Sequence, residues 1–138
     1  MAEVFLARRE GPHGVAKQLV IKRIHPEHSG DADFVEMFID EAKISVELQH
    51  ANIVPIYDFG KIQTNYFIAM EYVEGQDLKQ LLVRSTKNRE LLNIDTILFI
   101  IHEICSGLHY IHNHRTPSGE RMNIVHRDLS PANILISY

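Results

Sequence analysis

The sequence predicts an α+β fold with a small antiparallel sheet in its first half and helices dominating the second. Three observations carry this. Alternating apolar runs flank the turn Gly11-Pro12-His13-Gly14, a second strand pair precedes Gly75, and Asp31, Asp77 and Asn93 each stand as a side-chain cap before an amphipathic stretch. Strand pairs followed by long helices favour segregated layers over an alternating parallel sheet.

Taken in order, Glu3 to Arg8 reads as a strand, with Val4 and Leu6 alternating against charged neighbours. After the Gly-Pro turn, Lys17 to Ile24 is its hairpin partner. Asp31 then caps a helix reaching about Gln49, whose one face carries Phe34, Phe38, Glu41, Ser45 and Leu48. Glu41 falls in line with that apolar stripe, where a carboxylate needs a cationic partner or costs stability. Ile53 to Phe59 and Tyr66 to Val73 form the next strand pair, joined through Gly60. Asp77 caps a short helix from Leu78 to about Arg84. Asn93 caps a longer one, Ile94 to His112, with Ile97, Ile101, Ile104, Leu108 and Ile111 toward the core. Leu98 and Ile100 on its other side predict burial on most sides, and Cys105 within it reads as a small core residue.

Composition excludes several classes of function. The 138 residues are 45% hydrophobic and 23% charged with a net charge of −4, which is ordinary for one globular unit and gives no footprint for nucleic acid or an anionic membrane. One cysteine permits no internal disulfide and fits a reducing, cytoplasmic compartment. Glu3, Arg8, Arg9 and Glu10 spoil any signal-peptide core, and the longest apolar run, Ile97 to Ile101, is too short to cross a bilayer. This segment is therefore expected to make no membrane contact, although an anchor outside it is compatible with the sequence. His109, His112 and His114 invite a metal site, but no second cysteine or nearby carboxylate completes one, and ordinary histidines are expected there. The chain opens and closes within strand-like runs, which points to a truncated domain.

His126-Arg127-Asp128-Leu129-Ser130-Pro131-Ala132-Asn133 is the densest motif. An Asp and an Asn five residues apart on one loop suit phosphoryl transfer, which needs an acceptor for a hydroxyl proton and an oxygen ligand for magnesium. It reproduces the H-R-D-L-x-x-x-N pattern.

In order along the chain, the motifs resemble the protein kinase family in its bacterial Ser/Thr style. Met1-Ala2-Glu3-Val4-Phe5-Leu6-Ala7 resembles the tail of the glycine-rich loop, Leu19-Val20-Ile21-Lys22 the V-A-I-K strand, and Asp40-Glu41-Ala42 the helix glutamate. His50-Ala51-Asn52-Ile53-Val54 resembles the family's H-P-N-I-V strand entry, and Met70-Glu71-Tyr72-Val73-Glu74-Gly75 its gatekeeper and hinge.

The resemblance implies a small lobe over about residues 1–70, a hinge at 71–75 and the start of a large lobe at 76–138. ATP and Mg2+ are the implied cofactors and a protein hydroxyl the implied acceptor. Asp128 is then the proton acceptor and Asn133 a magnesium ligand. Lys22 holds the α- and β-phosphates, and Glu41 pairs with it. Val4, Val20, Met70 and Leu135 border adenine, backbone at Glu71 and Val73 hydrogen-bonds it, and Asp77 lies near the ribose. Arg127 resembles the arginine that reads a phosphorylated activation loop, and His126 a structural brace.

Three positions depart from the pattern. Ser130 replaces the lysine usual in Ser/Thr kinases and weakens charge neutralisation at the γ-phosphate. Val20 replaces a small Ala and narrows the adenine site, and Ala51 replaces a Pro. Asp58-Phe59-Gly60 spells D-F-G but lies about 70 residues before Asp128 instead of after it, so it reads as a turn. A non-catalytic binding module and a small-molecule phosphotransferase sharing H-x-D-x-x-x-x-N are the rival readings. Intact Lys22, Glu41, Asp128 and Asn133 oppose the first, and Arg127, Leu129 and the hinge pattern oppose the second. Substrate identity and oligomeric state are not encoded in these motifs.

Overall fold

The computed structural model describes residues 2–138, the side chain of His13 apart; Met1 of the first motif lies outside the described residues. Two compact units are present. One runs to Gln49 and resumes over Val54–Tyr72; the other comprises His50–Ile53 and Val73–Tyr138.

The first unit is an antiparallel sheet with one helix. Strands β1 (Ala2–Glu10) and β2 (Ala16–Ile24) pair along their full lengths, from Ala2 opposite Ile24 to Glu10 opposite Ala16. Gly11 N–H donates to Val15 O at 2.7 Å across the turn, and Gly14 takes φ +77°, where an L side chain is strained. Helix α1 (Ala32–Glu47) starts at Asp31, whose Oδ1 accepts from Asp33 N–H at 3.1 Å and Phe34 N–H at 3.3 Å. Strands β3 (Ile56–Ile62) and β4 (Asn65–Glu71) complete the sheet in the order β1-β2-β4-β3. Period-two alternation sends Ile24 and Ile68 to the face covered by α1, where they pack with Phe38 and Ala42 into the buried core.

The β3–β4 connection differs from the expectation. Gly60 is not the turn: it lies inside β3 opposite Phe67, and the chain reverses at Gln63-Thr64, with Gln63 at φ +55°. Glycine at 60 leaves room for the Phe67 ring, which a Cβ there would meet at 2.9 Å. Asp58-Phe59-Gly60 is therefore strand, not turn. The strand expected from Ile53 begins only at Ile56.

The second unit holds α2 (Leu78–Asn88), α3 (Ile94–Asn113) and the short antiparallel pair β5 (Gly75–Asp77) and β6 (Leu135–Ser137). Asp77 and Asn93 cap the two helices by accepting from Gln80 N–H at 2.8 Å and Thr96 N–H at 2.7 Å. Helix α2 runs one turn beyond Arg84 and ends on Arg89 at φ +57°. On α3 the covered side is rotated from the expected one. Ile100, Ile104, Gly107, Leu108 and Ile111 are covered, whereas Ile97, Leu98, Ile101 and Cys105 are exposed. The apolar stripe of the helix is wider than its covered strip, so the period does not say which part of the stripe is covered, and among the described residues nothing closes over the Leu98–Cys105 side.

By length and composition α3 is long and apolar enough to cross a membrane, which short apolar runs alone did not reveal. Its polar contacts are with the His50–Ile53 segment. Asn52 Nδ2 donates to Glu103 O at 2.6 Å and Oε2 at 2.8 Å, and His50 packs on Tyr110 at 5.1 Å between ring centroids.

Candidate functional site

In the first unit the site residues lie on one face of the sheet. Cross-strand partners share a face, so Val4, Lys22 and Ile68 form one row and Leu6, Val20, Met70 and Ile56 the next. Helix α1 covers the first row at Ile68, while Val4 and Leu6 stay 66% and 60% exposed. Lys22 stands at the border between the covered and open parts. Its Nζ donates to Glu41 Oε1 at 2.6 Å and lies 5.8 Å from the Phe38 ring centroid. Glu41 thus has the partner its position called for. It is not buried, however: its side chain is 53% exposed and that of Lys22 28%. The helix stripe carries Phe38 and Ala42 to the core and turns Glu41 to its rim.

Glu71 closes β4 opposite Leu19, and its N–H donates to Pro55 O at 3.0 Å. Its backbone N–H is thereby used within the unit. Leu6 extends the apolar row, and its i+2 spacing from Val4 is the sequence signal for it.

In the second unit the loop His126–Asn133 is tied to itself. Asp128 N–H donates to His126 O at 2.8 Å and to His126 Nδ1 at 3.3 Å, closing a three-residue turn around Arg127 at φ +61°. Asn133 Nδ2 donates to both Asp128 O and Asp128 Oδ2 at 2.9 Å. Ser130 is half-buried in extended conformation and accepts Asn133 N–H through its carbonyl at 2.9 Å, but its hydroxyl caps nothing.

Leu135 pairs with Asp77 across β5 and β6, and Leu78 N–H donates to Ile134 O at 2.8 Å, which fixes the segment after the loop against the start of α2. Gly75 is indispensable to that pairing, because a Cβ there would lie 2.0 Å from Ile136 O. Its sequence signal was a glycine in an extended run. Asp77 has both carboxylate oxygens engaged by Gln80, through its backbone N–H and its side-chain amide.

Asn52 is a further residue that motif spacing did not single out. Its amide beside Glu103, with His102 adding to the effect, holds the Glu103 carboxyl below the usual glutamate value. His109 contacts Asn113 and His114 packs on Tyr110; among the described residues no three His, Cys, Asp or Glu side chains group as metal ligands.

A family model described as "Protein kinase domain" matches residues 1–138. Among curated proteins, the tyrosine-protein kinase MasK of Myxococcus xanthus is 38% identical over 138 residues, covering 100% of this chain and 21% of that protein. The serine/threonine-protein kinase PrkC of Bacillus subtilis is 34% identical over 140 residues, covering 100% and 19%. The serine/threonine-protein kinase PknD of Chlamydia trachomatis is 34% identical over 143 residues, covering 99% and 14%. Among solved structures, the kinase domain of Mycobacterium tuberculosis PknI superposes with a TM-score of 0.75 at 27% identity, covering 99% of this chain and 49% of that one. The chain thus spans 21% or less of these curated relatives and 49% of that kinase domain.

Proposed function

This chain belongs to the protein kinase family, and we propose that it supplies the ATP-binding and phosphoryl-transfer groups of a serine/threonine kinase. The observation that carries the reading is the Lys22–Glu41 contact at 2.6 Å, since a kinase needs this lysine held in place to meet the nucleotide phosphates.

Each residue has a part the chemistry can use. Glu41 holds the Lys22 ammonium, which binds the α- and β-phosphates. Val4, Val20 and Met70 on the open sheet face, with Leu135, give adenine an apolar border. The Glu71 carbonyl accepts from the adenine amine, and Val73 N–H donates to the ring. Asp128 accepts the proton of the attacking hydroxyl. Asn133 spends its Nδ2 on Asp128, which leaves its amide oxygen for the metal. An oxygen donor fits magnesium, a hard cation that is held by few protein ligands plus phosphates and water. When bound, magnesium would offset the negative charge that develops on the phosphates. Asp77 would share its occupied carboxylate with the ribose, so capping α2 is its first role. Ser130 brings a hydroxyl and no charge where the family usually has lysine, so this loop offers no cation of its own to the γ-phosphate.

Two of the three relatives named above are serine/threonine kinases by name, and one is a tyrosine-protein kinase. That name gives the tyrosine reading its place, and phosphoamino-acid analysis separates the two. The full-length protein is incubated with γ-labelled ATP and magnesium, beside Asp128→Asn. Label on serine or threonine, falling about a thousandfold in the variant as expected for a lost general base, supports the proposal. Label on tyrosine alone shifts it to the second reading. Equal labelling by the variant removes Asp128 from the chemistry and overturns the mechanism.

A further inference from the structure

A cavity of about 600 Å³ lies beside the loop that carries Asp128 and Asn133. One face of α2 forms a wall, with Lys79, Val83 and Lys87 at i, i+4 and i+8 and Arg84 beside them, and Ala132 forms the other. Whatever fills this space therefore touches the residue next to Asn133.

The charge of the wall is one-sided. Leu78–Asn88 contains no Asp or Glu, whereas α1 carries Asp33, Glu36, Asp40, Glu41 and Glu47, and α3 carries Asp95 and Glu103. Lys79, Arg84 and Lys87 are exposed, and among the described residues no carboxylate pairs with them. Asp77 is the one acidic lining residue, and Gln80 occupies its oxygens. A solvated helix face needs charge of either sign, and mixed signs serve solubility best. Three unpaired cations on one wall, in a chain of net charge −4, instead select a ligand by its sign. Val83, 60% exposed between the two lysines, adds an apolar contact.

We propose that this cavity receives an acidic flank of the protein substrate, a segment bearing carboxylates or a phosphoserine close to the hydroxyl that reacts at Asp128. The inference rests on the kinase reading for the meaning of "substrate", but the binding it describes is independent of catalysis. Carboxylate and phosphate share the chemistry the cations recognise; phosphate takes bidentate contacts from Arg84 and carries more charge.

The test uses the full-length protein and four fluorescent peptides that are identical around one serine. Their flanks are neutral, Asp/Glu-rich, phosphoserine-bearing or Lys-rich, and affinity is read by anisotropy without nucleotide. The acidic or the phosphorylated peptide is expected to bind about tenfold more tightly than the neutral one, the range three partly screened charge contacts supply. The gap narrows as salt rises from about 50 to about 500 mM. Which of the two binds better identifies the source of the anion. The triple variant Lys79→Gln/Arg84→Gln/Lys87→Gln, with its fold checked by circular dichroism, loses the preference. The charge-reversed Lys79→Glu/Arg84→Glu/Lys87→Glu favours the Lys-rich peptide.

Equal affinity for acidic and neutral peptides overturns the proposal, as does a preference that survives neutralisation. Preferential binding with no transfer to any peptide leaves this surface standing and sinks the proposed catalysis. Transfer to all four peptides at one kcat/KM without preference does the reverse.

Discussion

Replacing Glu41 by Gln tests whether the Lys22 contact is structural or chemical, because the two roles predict different magnitudes. The atoms meet at 2.6 Å, but the side chains are 28% and 53% exposed. Solvent screens a pair so placed, and its contribution to folding is about 0.5 kcal/mol. At this chain length that loss lowers Tm by about 2 °C. Chemistry is far more sensitive to the same change. An ammonium released from its holder no longer meets the phosphates in a fixed place, and a misplacement of about 1 Å costs about a hundredfold in rate, or about 2.7 kcal/mol of barrier. Glu41→Gln is therefore expected to lower kcat/KM about a hundredfold while hardly moving Tm. Lys22→Met lowers it further, and the double variant is no worse than Lys22→Met alone, since the pair acts as a unit. Melting curves and steady-state phosphorylation on the full-length protein give both numbers. A large fall in Tm with kcat/KM intact, or additive losses in the double variant, refutes the reasoning.

Gly75→Ala places a Cβ 2.0 Å from Ile136 O and 2.8 Å from its carbonyl carbon, so β5 and β6 must part. Losing several backbone hydrogen bonds there costs about 2–4 kcal/mol, which urea denaturation measures, and nucleotide affinity falls as Leu135 shifts. Gly60→Ala meets only the tip of the Phe67 ring at 2.9 Å; the ring can swing, so the cost is about 1 kcal/mol and Phe67→Leu in the same chain restores it. Asn52→Ala lets the Glu103 pKa climb toward its ordinary 4.5, which carboxyl NMR titration follows. Because the folded value is depressed, the stability Glu103 contributes is full above its unfolded pKa and drains away as pH falls through the folded one. The Asn52→Ala protein accordingly shows a flatter loss of stability with acid.

Local chemistry made much of the fold legible. Asp31, Asp77 and Asn93 each needed only their own side chain and the next three N–H groups, and all three cap as expected. Glu41 on an apolar helix stripe demanded a cation, but only the family resemblance pointed to Lys22, and the burial expected of Glu41 was overstated. The misses share a different cause. Gly60 looked like a turn because glycine usually is one, yet its reason is the Phe67 ring on the neighbouring strand, which no local window contains. The covered strip of α3 was unreadable because the apolar stripe is broader than the strip and the period does not divide it. The contacts of His50–Ile53 go to Glu103, Ser106 and Tyr110 about fifty residues away, which no local window contains. Arg127 at φ +61° gave no signal, since arginine has no liking for that conformation.

The Asp31 cap also sets an angle. Each residue of an α-helix turns the chain by about 100° and advances it about 1.5 Å, so a helix that began one residue early or late would present every side chain on a different bearing. Asp31 ends that ambiguity by clasping the N–H groups of Asp33 and Phe34. Glu41, ten residues along, inherits its bearing from this clasp and faces Lys22. A slip of one position would swing the carboxylate about 100° around the axis and bring Asp40 or Ala42 to the lysine instead. In this way an exposed aspartate works as the index mark of α1, fixing which of its residues meets Lys22 without touching the lysine itself.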